Sequence, residues 1–398
     1  MKKLNLIMFI AFLGGLLGIS PLATDMYTPS LPSVVFEFNS SISLIQLTIS
    51  LYLLSFAIGQ IIWGPLSDTF GRKPIIIIAT IIFLLSSLIC IFAPNLEILV
   101  IARITQGFGA SFGQILARSI IRDKYDSIAA PKIMAYSTML MGCASIIGPN
   151  LGAAAISYLN WRYIFVILAL YSIFLLIITI FFLKETIEKK VPSIKPSTIL
   201  KNFKILFLDI NFIKFSFSLS LMFGLLFSFI SVAPFIFIDI YGFNVNQFGV
   251  IFSLVAVVFV FGSAIAGKIS SPKLNSRIYL LALILATVSA AFCFINMTTN
   301  ESPYIFIALT MLITFSMGFL VPIGFSSAMQ NHPRIAGTAS TLIGLTQAIF
   351  SSFFGFISAY FFNNSAITLT IIMLFLTSIA LIVYILFNSL KKSQSVKS

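Results

Sequence analysis

The chain has 398 residues, of which 59% are hydrophobic and only 9% charged, with a mean hydropathy of +1.09. A soluble domain carries about 25% charged residues, so this composition excludes a water-facing surface of ordinary polarity and fits a protein whose solvent is mostly lipid. The net charge is +13, but the basic residues stand between apolar runs, which points to membrane topology and away from nucleic acid.

A helical span needs about 20 apolar residues. In chain order the apolar runs fall at 4–27, 42–63, 74–93, 96–117, 131–157, 162–183, 211–236, 246–267, 277–297, 303–325, 336–361 and 366–388. Only helices and closed barrels satisfy every amide in lipid, and unbroken runs of this length predict helices rather than alternating strands. The predicted fold class is an all-α membrane protein with twelve transmembrane helices. After Lys2 and Lys3, the run from Leu4 to Ala23 has spanning length and no cleavage site followed by a polar segment, so it predicts a first helix and not a leader.

Alternating the loops from inside to outside places Lys2, Lys3, Arg72, Lys73, Arg118, Arg122, Lys124, Lys132, Lys268, Lys273, Arg277, Arg334, Lys391, Lys392 and Lys397 on the inner side. Lys184, Lys189, Lys190, Lys195, Lys201, Lys204 and Lys214 join them around the long central loop. The outer loops hold only Arg162, and Arg103 falls within a span. This bias sets both termini in the cytoplasm and supports the count of twelve. The expected organisation is a six-helix bundle over 1–183, a cytoplasmic linker loop over 184–210, a second bundle over 211–390 and a cytoplasmic tail over 391–398. A faint repeat supports two halves: Gly64 to Asp68 follows the second run, and Gly267 to Ser271 follows its counterpart. Two such halves related along the membrane normal form a transporter architecture, with the substrate site between them near mid-membrane.

Four stretches carry candidate chemistry. Asp25, in Thr24-Asp25-Met26-Tyr27-Thr28-Pro29, is the one acidic residue of eleven well placed to face a central cavity from within a span. A carboxylate at that depth can exchange a proton between compartments, although Pro21 and Pro29 also allow it to end the first helix at the outer surface. The loop Trp63-Gly64-Pro65-Leu66-Ser67-Asp68-Thr69-Phe70-Gly71-Arg72-Lys73-Pro74 reads as a tight turn: Gly64 and Gly71 permit close backbone approach, and Pro74 suits the first turn of a helix. Asp68 can meet free amides there, and Arg72 and Lys73 can face lipid headgroups or Asp123. Arg103, followed by Gln106 and Gly107, puts a guanidinium at span depth, which costs about 2.5–3.5 kcal/mol on insertion scales and so demands an interior partner or snorkelling to the surface. Gly148-Pro149-Asn150-Leu151-Gly152 combines small packing residues with a proline that frees a carbonyl and kinks a helix.

Other patterns lead nowhere. Gly109-Ala110-Ser111-Phe112-Gly113 matches a hydrolase elbow but lies mid-span, far from His332, the single histidine. No cluster has metal-ligand spacing, no phosphate-cradling loop is present, and Cys90, Cys143 and Cys293 read as small core residues. No catalytic group and no cofactor is expected. Tyr27, Tyr52, Phe108, Tyr136, Phe227 and Phe235 are candidate aromatics for a cavity that takes flat substrates.

Together these stretches resemble a family. The 64–74 loop looks like the signature loop of the major facilitator superfamily. Arg103-Ile-Thr-Gln106-Gly107 and Gly148-Pro149-Asn-Leu-Gly152 resemble motifs of its twelve-span drug:proton antiporters. Thr24-Asp25-Met26-Tyr27-Thr-Pro29-Ser-Leu31-Pro32 and His332-Pro-Arg-Ile-Ala336-Gly-Thr-Ala-Ser340 look like the bicyclomycin-resistance (Bcr/CflA) branch. The resemblance covers essentially the whole chain. It implies export of small drug-like molecules in exchange for protons across a bacterial inner membrane, by a monomer that meets substrate, protons and lipid but no nucleic acid. It implies proton coupling through Asp25, Arg103 and Gln106, a cytoplasmic latch of Gly64, Asp68, Gly71, Arg72 and Lys73, and a bend at Gly148, Pro149 and Gly152. The chain departs from the pattern at Ala153, where a second glycine is common, and in the degenerate second copy of the signature loop. A proton-linked or passive transporter of an amino acid, dipeptide or sugar is the alternative.

Overall fold

The computed structural model describes residues 2–125, 129–187, 196–269, 271, 274–299, 301–332 and 335–397. Lys189, Lys190, Lys195, Lys273 and Arg334, used in the topology argument, lie outside the described residues. The described elements are helical: α1 (Lys2–Asp25), α2 (Leu31–Glu37), α3 (Ile42–Phe70), α4 (Arg72–Ile91), α5 (Leu96–Ala110), α6 (Phe112–Lys124), α7 (Ala129–Tyr158), α8 (Arg162–Phe182), α9 (Pro196–Leu208), α10 (Ile210–Pro234), α11 (Val245–Ile269), α12 (Asn275–Thr299), α13 (Pro303–Met329), α14 (Ala336–Tyr360) and α15 (Ala366–Lys397). Among the described residues, 11 helical stretches are long and apolar enough to cross a membrane. The remaining predicted run, 96–117, is carried by α5 and α6, which meet at Ser111. The interruption has a local cause. The Phe108 carbonyl accepts from Ser111 Oγ at 2.8 Å and from the Trp63 indole at 2.9 Å, which draws it away from the helical ladder.

Two spans run past their predicted ends. The first extends over Leu6–Phe38, because the 3₁₀ turn Thr28–Ser30, seeded by Pro29, links α1 to α2 without leaving helical space. It stops where Asn39 adopts a φ of 46°. The seventh continues from α10 through π-helical turns over Phe235–Ile240, where Tyr241 N–H reaches back to the Ile236 carbonyl. The central segment is not wholly loop, since α9 occupies Pro196–Leu208.

The chain divides into two units, residues 1–194 with 245–253, and residues 195–244 with 254–398. In the first, α1 packs on α7, α3 on α5, and α4 on both α5 and α8. In the second, α10 packs on α14, α15 and α13, and α12 on α13 and α15. α10 is buried along most of its length. Its serines bind α14 directly: Ser220 to Thr346, Ser228 to the Phe354 carbonyl and Ser231 to the Gly355 carbonyl. Lipid tails give helices no hydrophobic reason to associate, so small hydroxyl side chains and close backbone approach hold such bundles together. Cys90 and Cys293 are buried, but Cys143 is exposed on α7 and is not a core residue.

Close approach is sharpest at Gly113, where a Cβ would lie 1.9 Å from the Leu16 carbonyl oxygen, whereas one at Gly267 would meet nothing within 4 Å. Gly113→Ala is expected to cost about 1–3 kcal/mol by overpacking, and Gly267→Ala to be neutral. Thermal unfolding of the two variants in the same detergent checks the contrast.

Candidate functional site

The first unit buries a full positive charge. Arg103, on α5, has no exposed surface. Its Nε donates to the Thr48 carbonyl at 3.2 Å, and its Nη1 donates to the Ala23 carbonyl at 3.2 Å and to Gln106 Oε1 at 2.5 Å. Nη2 has no hydrogen-bond partner among the described residues. The guanidinium instead lies 4.3 Å from the centre of the Tyr52 ring, 4.8 Å from Tyr27 and 5.9 Å from Phe165. Ring faces stabilise a desolvated cation by about 2 kcal/mol or more. The interior reading of Arg103 therefore holds, and snorkelling does not. The cage is itself fixed from outside: Gln106 Nε2 donates to Ser87 Oγ, Thr48 Oγ1 to the Tyr27 hydroxyl, and the Tyr52 hydroxyl to Ser20 Oγ.

Asp25 closes α1 two residues beyond Ala23, well inside the stretch Leu6–Phe38. It is partly exposed, accepts from Thr24 Oγ1 at 3.1 Å and is hydrogen-bonded by Ser145 on α7. The two groups connect through the backbone of α1, whose Ala23 carbonyl is held by Arg103 while Asp25 stands two residues on in the same last turn. The glycine-proline stretch of α7 packs against this point. A Cβ at Gly148 would lie 3.3 Å from Asp25 Cβ, and one at Gly152 only 2.0 Å from the Met26 carbonyl oxygen. Only residues without side-chain bulk let α7 approach here. α7 continues as helix through Pro149. Asn150 donates to Ser253 Oγ at 2.7 Å, and Ser253 in turn donates to the Ile146 carbonyl at 2.6 Å. The fourth- and fifth-span motifs, far apart in sequence, thus meet the same end of α1.

The six aromatic candidates separate. Tyr27 and Tyr52 are fully buried around Arg103, so they serve the guanidinium and do not line an open wall. Phe235 is buried in the second unit against Phe362, and Phe227 is half-buried there. Phe108 packs against Trp63 with the rings tilted and 4.8 Å apart, and Tyr136 is exposed on α7.

The 64–74 loop builds a second polar cluster. α3 runs to Phe70, and Gly71, with a φ of 111°, turns the chain directly into α4. That conformation belongs to glycine. Gly64 lies on α3 near Ile115. Arg72 is buried, pairs with Asp68 at 2.6 Å and with Asp123 at 2.8 Å, and also donates to Ser67 Oγ. Lys73 Nζ donates to the Ile180 carbonyl at 2.8 Å.

Sequence reading missed the group that completes this cluster. Glu185, just past α8, accepts the backbone N–H groups of Arg72 at 3.0 Å and Lys73 at 3.2 Å, and those of Thr186 and Ile187. It caps α4 from 113 residues away. A Cβ on Gly71 would stand 2.5 Å from the Glu185 carboxylate, so the glycine is needed both for its φ and for this approach. Partial burial works against the charge on Glu185, but the N–H groups of Ile187, Arg72, Thr186 and Lys73 outweigh it and hold the carboxyl below the usual range. The available signal was a carboxylate directly after a span in a chain with few acids. In the second unit, Asp209 caps α10 through Asn211 N–H and pairs with His332 Nε2 at 2.6 Å, while Asn331 donates to the same carboxylate.

Glu185→Ala is expected to destabilise the start of α4 by about 0.5–2 kcal/mol, the range for loss of a helix N-cap. Faster amide exchange at Arg72 and Lys73 with unchanged exchange in α10 checks it. Because the folded-state pKa is depressed, the stabilisation from Glu185 is present above the ordinary carboxylate pKa of about 4.3 and fades as pH falls through the lower folded value. The difference in stability between wild type and Glu185→Ala should therefore shrink on acidification below about pH 4.

Comparison with known proteins follows this geometry. A family model described as Major Facilitator Superfamily matches residues 13–356. A relative called an uncharacterized MFS-type transporter, YdgK of Bacillus subtilis, is 32% identical over 86% of this chain and 86% of its own length. A bicyclomycin resistance protein homolog of Haemophilus influenzae is 27% identical over 84% of this chain and 85% of its own. The crystal structure of a D-xylose-proton symporter superposes with a TM-score of 0.74 at 15% identity, covering 94% of this chain and 96% of that one, which is a likeness of fold alone. With its helical spans, its glycine-turned loop clamped on Arg72, and a model match over most of its length, the chain belongs to the Major Facilitator Superfamily, a multi-pass membrane transporter and not an enzyme.

Proposed function

We propose that this transporter is a proton-coupled antiporter that exports small drug-like molecules across the inner membrane of a bacterium, with both termini in the cytoplasm. It works as a monomer, with the proton gradient as its energy source and no cofactor. The observation that carries the reading is the polar centre of the first unit: a partly exposed carboxylate, Asp25, at the end of a helix whose last turn is held by the buried Arg103. The resemblance to the bicyclomycin resistance protein homolog of Haemophilus supports a drug-like substrate.

The cycle follows from these groups. Asp25 takes a proton from outside and releases substrate. The protonated, empty protein turns inward, loses the proton and binds the next molecule. Arg103 and Gln106 hold the α1 turn that carries Asp25, so a change of charge at the carboxylate is transmitted to a braced helix end and not lost in a flexible one. Gly148, Pro149 and Gly152 let α7 stay in contact with that end as it moves. The loop around Arg72 latches the cytoplasmic side. The membrane potential contributes about 2.3 kcal/mol per charge per 100 mV, and the ligand must bind the two states unequally for transport to be driven.

The test is substrate-induced proton movement in energised everted vesicles, with bicyclomycin, chloramphenicol, sulfonamides, cysteine and small dipeptides as the panel. At least one drug-like compound should collapse the pH gradient with wild type, and Asp25→Asn should abolish that response while inserting normally. Equal responses in both would remove Asp25 from coupling. A response to amino acids or dipeptides alone would replace the drug reading with metabolite transport.

A further inference from the structure

The second unit holds a buried cation that the proposed cycle does not use. Lys214, at the start of α10, is only 3% exposed, although its place beside the basic linker reads in the sequence as a loop-side charge. Its ammonium donates to Asn388 Oδ1 at 3.3 Å and lies 4.5 Å from the Phe215 ring and 5.0 Å from the Tyr384 ring. Those rings form a braced wall. Tyr279 packs against Phe215 and Tyr384 at 5.0 Å from each, its hydroxyl meets Ser218, and the Tyr384 hydroxyl meets Ser276.

In front of this wall, between α12 and α15, a cavity of about 230 Å³ is lined by Leu280, Tyr384, Ile385, Asn388 and Ser389. Arg277 stands one helical turn before Leu280, on the same face of α12, and is exposed. The carbonyl oxygen of Asn388 is engaged by Lys214, so its amide N–H₂ is the group left to donate. None of the lining residues is acidic. The surroundings are apolar: Leu281, Ile382, Ile385 and Leu386 are each more than half or about half exposed on the outer faces of the same two spanning helices. An apolar slot that ends in an amide and a hydroxyl, with an ammonium behind them and an exposed arginine one turn along α12, fits an amphiphile with an anionic head.

We propose that this groove binds an anionic phospholipid, with the phosphodiester on Asn388, Ser389 and Arg277 and an acyl chain along Leu280 and Ile385. Charge complementarity selects the head, since the described cations nearest the groove are Lys214, bonded to Asn388, and Arg277, one turn along α12 from Leu280. The exposed apolar helix faces select lipid over free phosphate, because the slot opens toward hydrocarbon. The site is independent of the transported substrate and of proton coupling.

The purified full-length chain in neutral detergent tests this by native mass spectrometry and thermal unfolding, with phosphatidylglycerol, phosphatidylcholine or inorganic phosphate added. Wild type should retain one phosphatidylglycerol roughly tenfold more than phosphatidylcholine, and Arg277→Ala combined with Asn388→Ala should lower that retention at least about fivefold. Lys268→Ala, an exposed basic change on α11, should leave retention unchanged. Circular dichroism verifies that the variants remain folded, and Arg277→Ala alone, at an exposed position, gives an independent reading. Equal retention by wild type and both groove variants would overturn the site. Equal retention of phosphatidylcholine would overturn the anionic selectivity. Stabilisation by inorganic phosphate equal to that by phosphatidylglycerol would assign the groove to a free anion and overturn the lipid.

Discussion

The meeting of α1, α3 and α5 in the first unit accommodates one desolvated guanidinium. A buried cation without compensation costs far more than any packing contact can return, so the chain must supply acceptors or ring faces in a fixed geometry. Arg103 receives backbone carbonyls from α1 and α3, an amide oxygen from its own helix and three aromatic faces. The Ala23 carbonyl is available because it lies in the last turn of α1, where carbonyls have no intrahelical partner, and the Thr48 carbonyl of α3 accepts Arg103 Nε as well. The same demand fixes the end of α1, and with it the position of Asp25. A carboxylate on a braced turn is a defined electrostatic element, whereas one on a frayed helix end would be averaged by motion. Packing follows the polar constraint: α7 comes close enough to touch Asp25 and Met26 only through Gly148 and Gly152.

The polar cluster at the end of α3 obeys the same logic with different parts. Arg72 is nearly as buried as Arg103, but carboxylates of Asp68 and Asp123 neutralise it. Neutralised pairs can separate and re-form when their surroundings open to water, which suits a latch. A cation held by carbonyls and rings has no counter-charge to part from, which suits a permanent brace. Glu185 anchors this cluster, because the first amides of α4 have no intrahelical acceptors and a carboxylate beside a helix N-terminus is favoured electrostatically. The second unit holds its corresponding end with other parts. It uses Asp209, Asn331 and His332, so the two halves are chemically unlike in how these ends are held.

The second unit also shows how a spanning bundle coheres through hydroxyls and aromatic rings. Serine hydroxyls along α10 reach carbonyls of α14, and an aromatic wall of Phe215, Tyr279 and Tyr384 shields Lys214. Each hydroxyl satisfies itself and also tethers a neighbouring helix, at a modest gain per bond. Lys214 departs from this pattern, which is why the groove beside it draws attention to the lipid and away from the protein interior.

Span number, helical class and family were legible in the amino-acid order because hydropathy is local and additive: twenty apolar residues in a row have one solution in lipid, whatever packs against them. The rarity of charge inside such runs also marked Arg103 and Asp25, and the glycines marked the turn at Gly71. The sequence by itself thus determined which segments cross the membrane and which few polar groups must matter there. It did not determine their partners. Arg103 rests on main-chain carbonyls that no residue type announces, Glu185 reaches amides 113 positions away, and the break at Ser111 follows from an indole on another helix. Tyr27 and Tyr52 turned from cavity wall to cation cage, and Lys214 from loop charge to buried ammonium, for one reason: hydrogen-bond and charge satisfaction in a low-dielectric interior is a property of helices brought together, which only the tertiary structure decides.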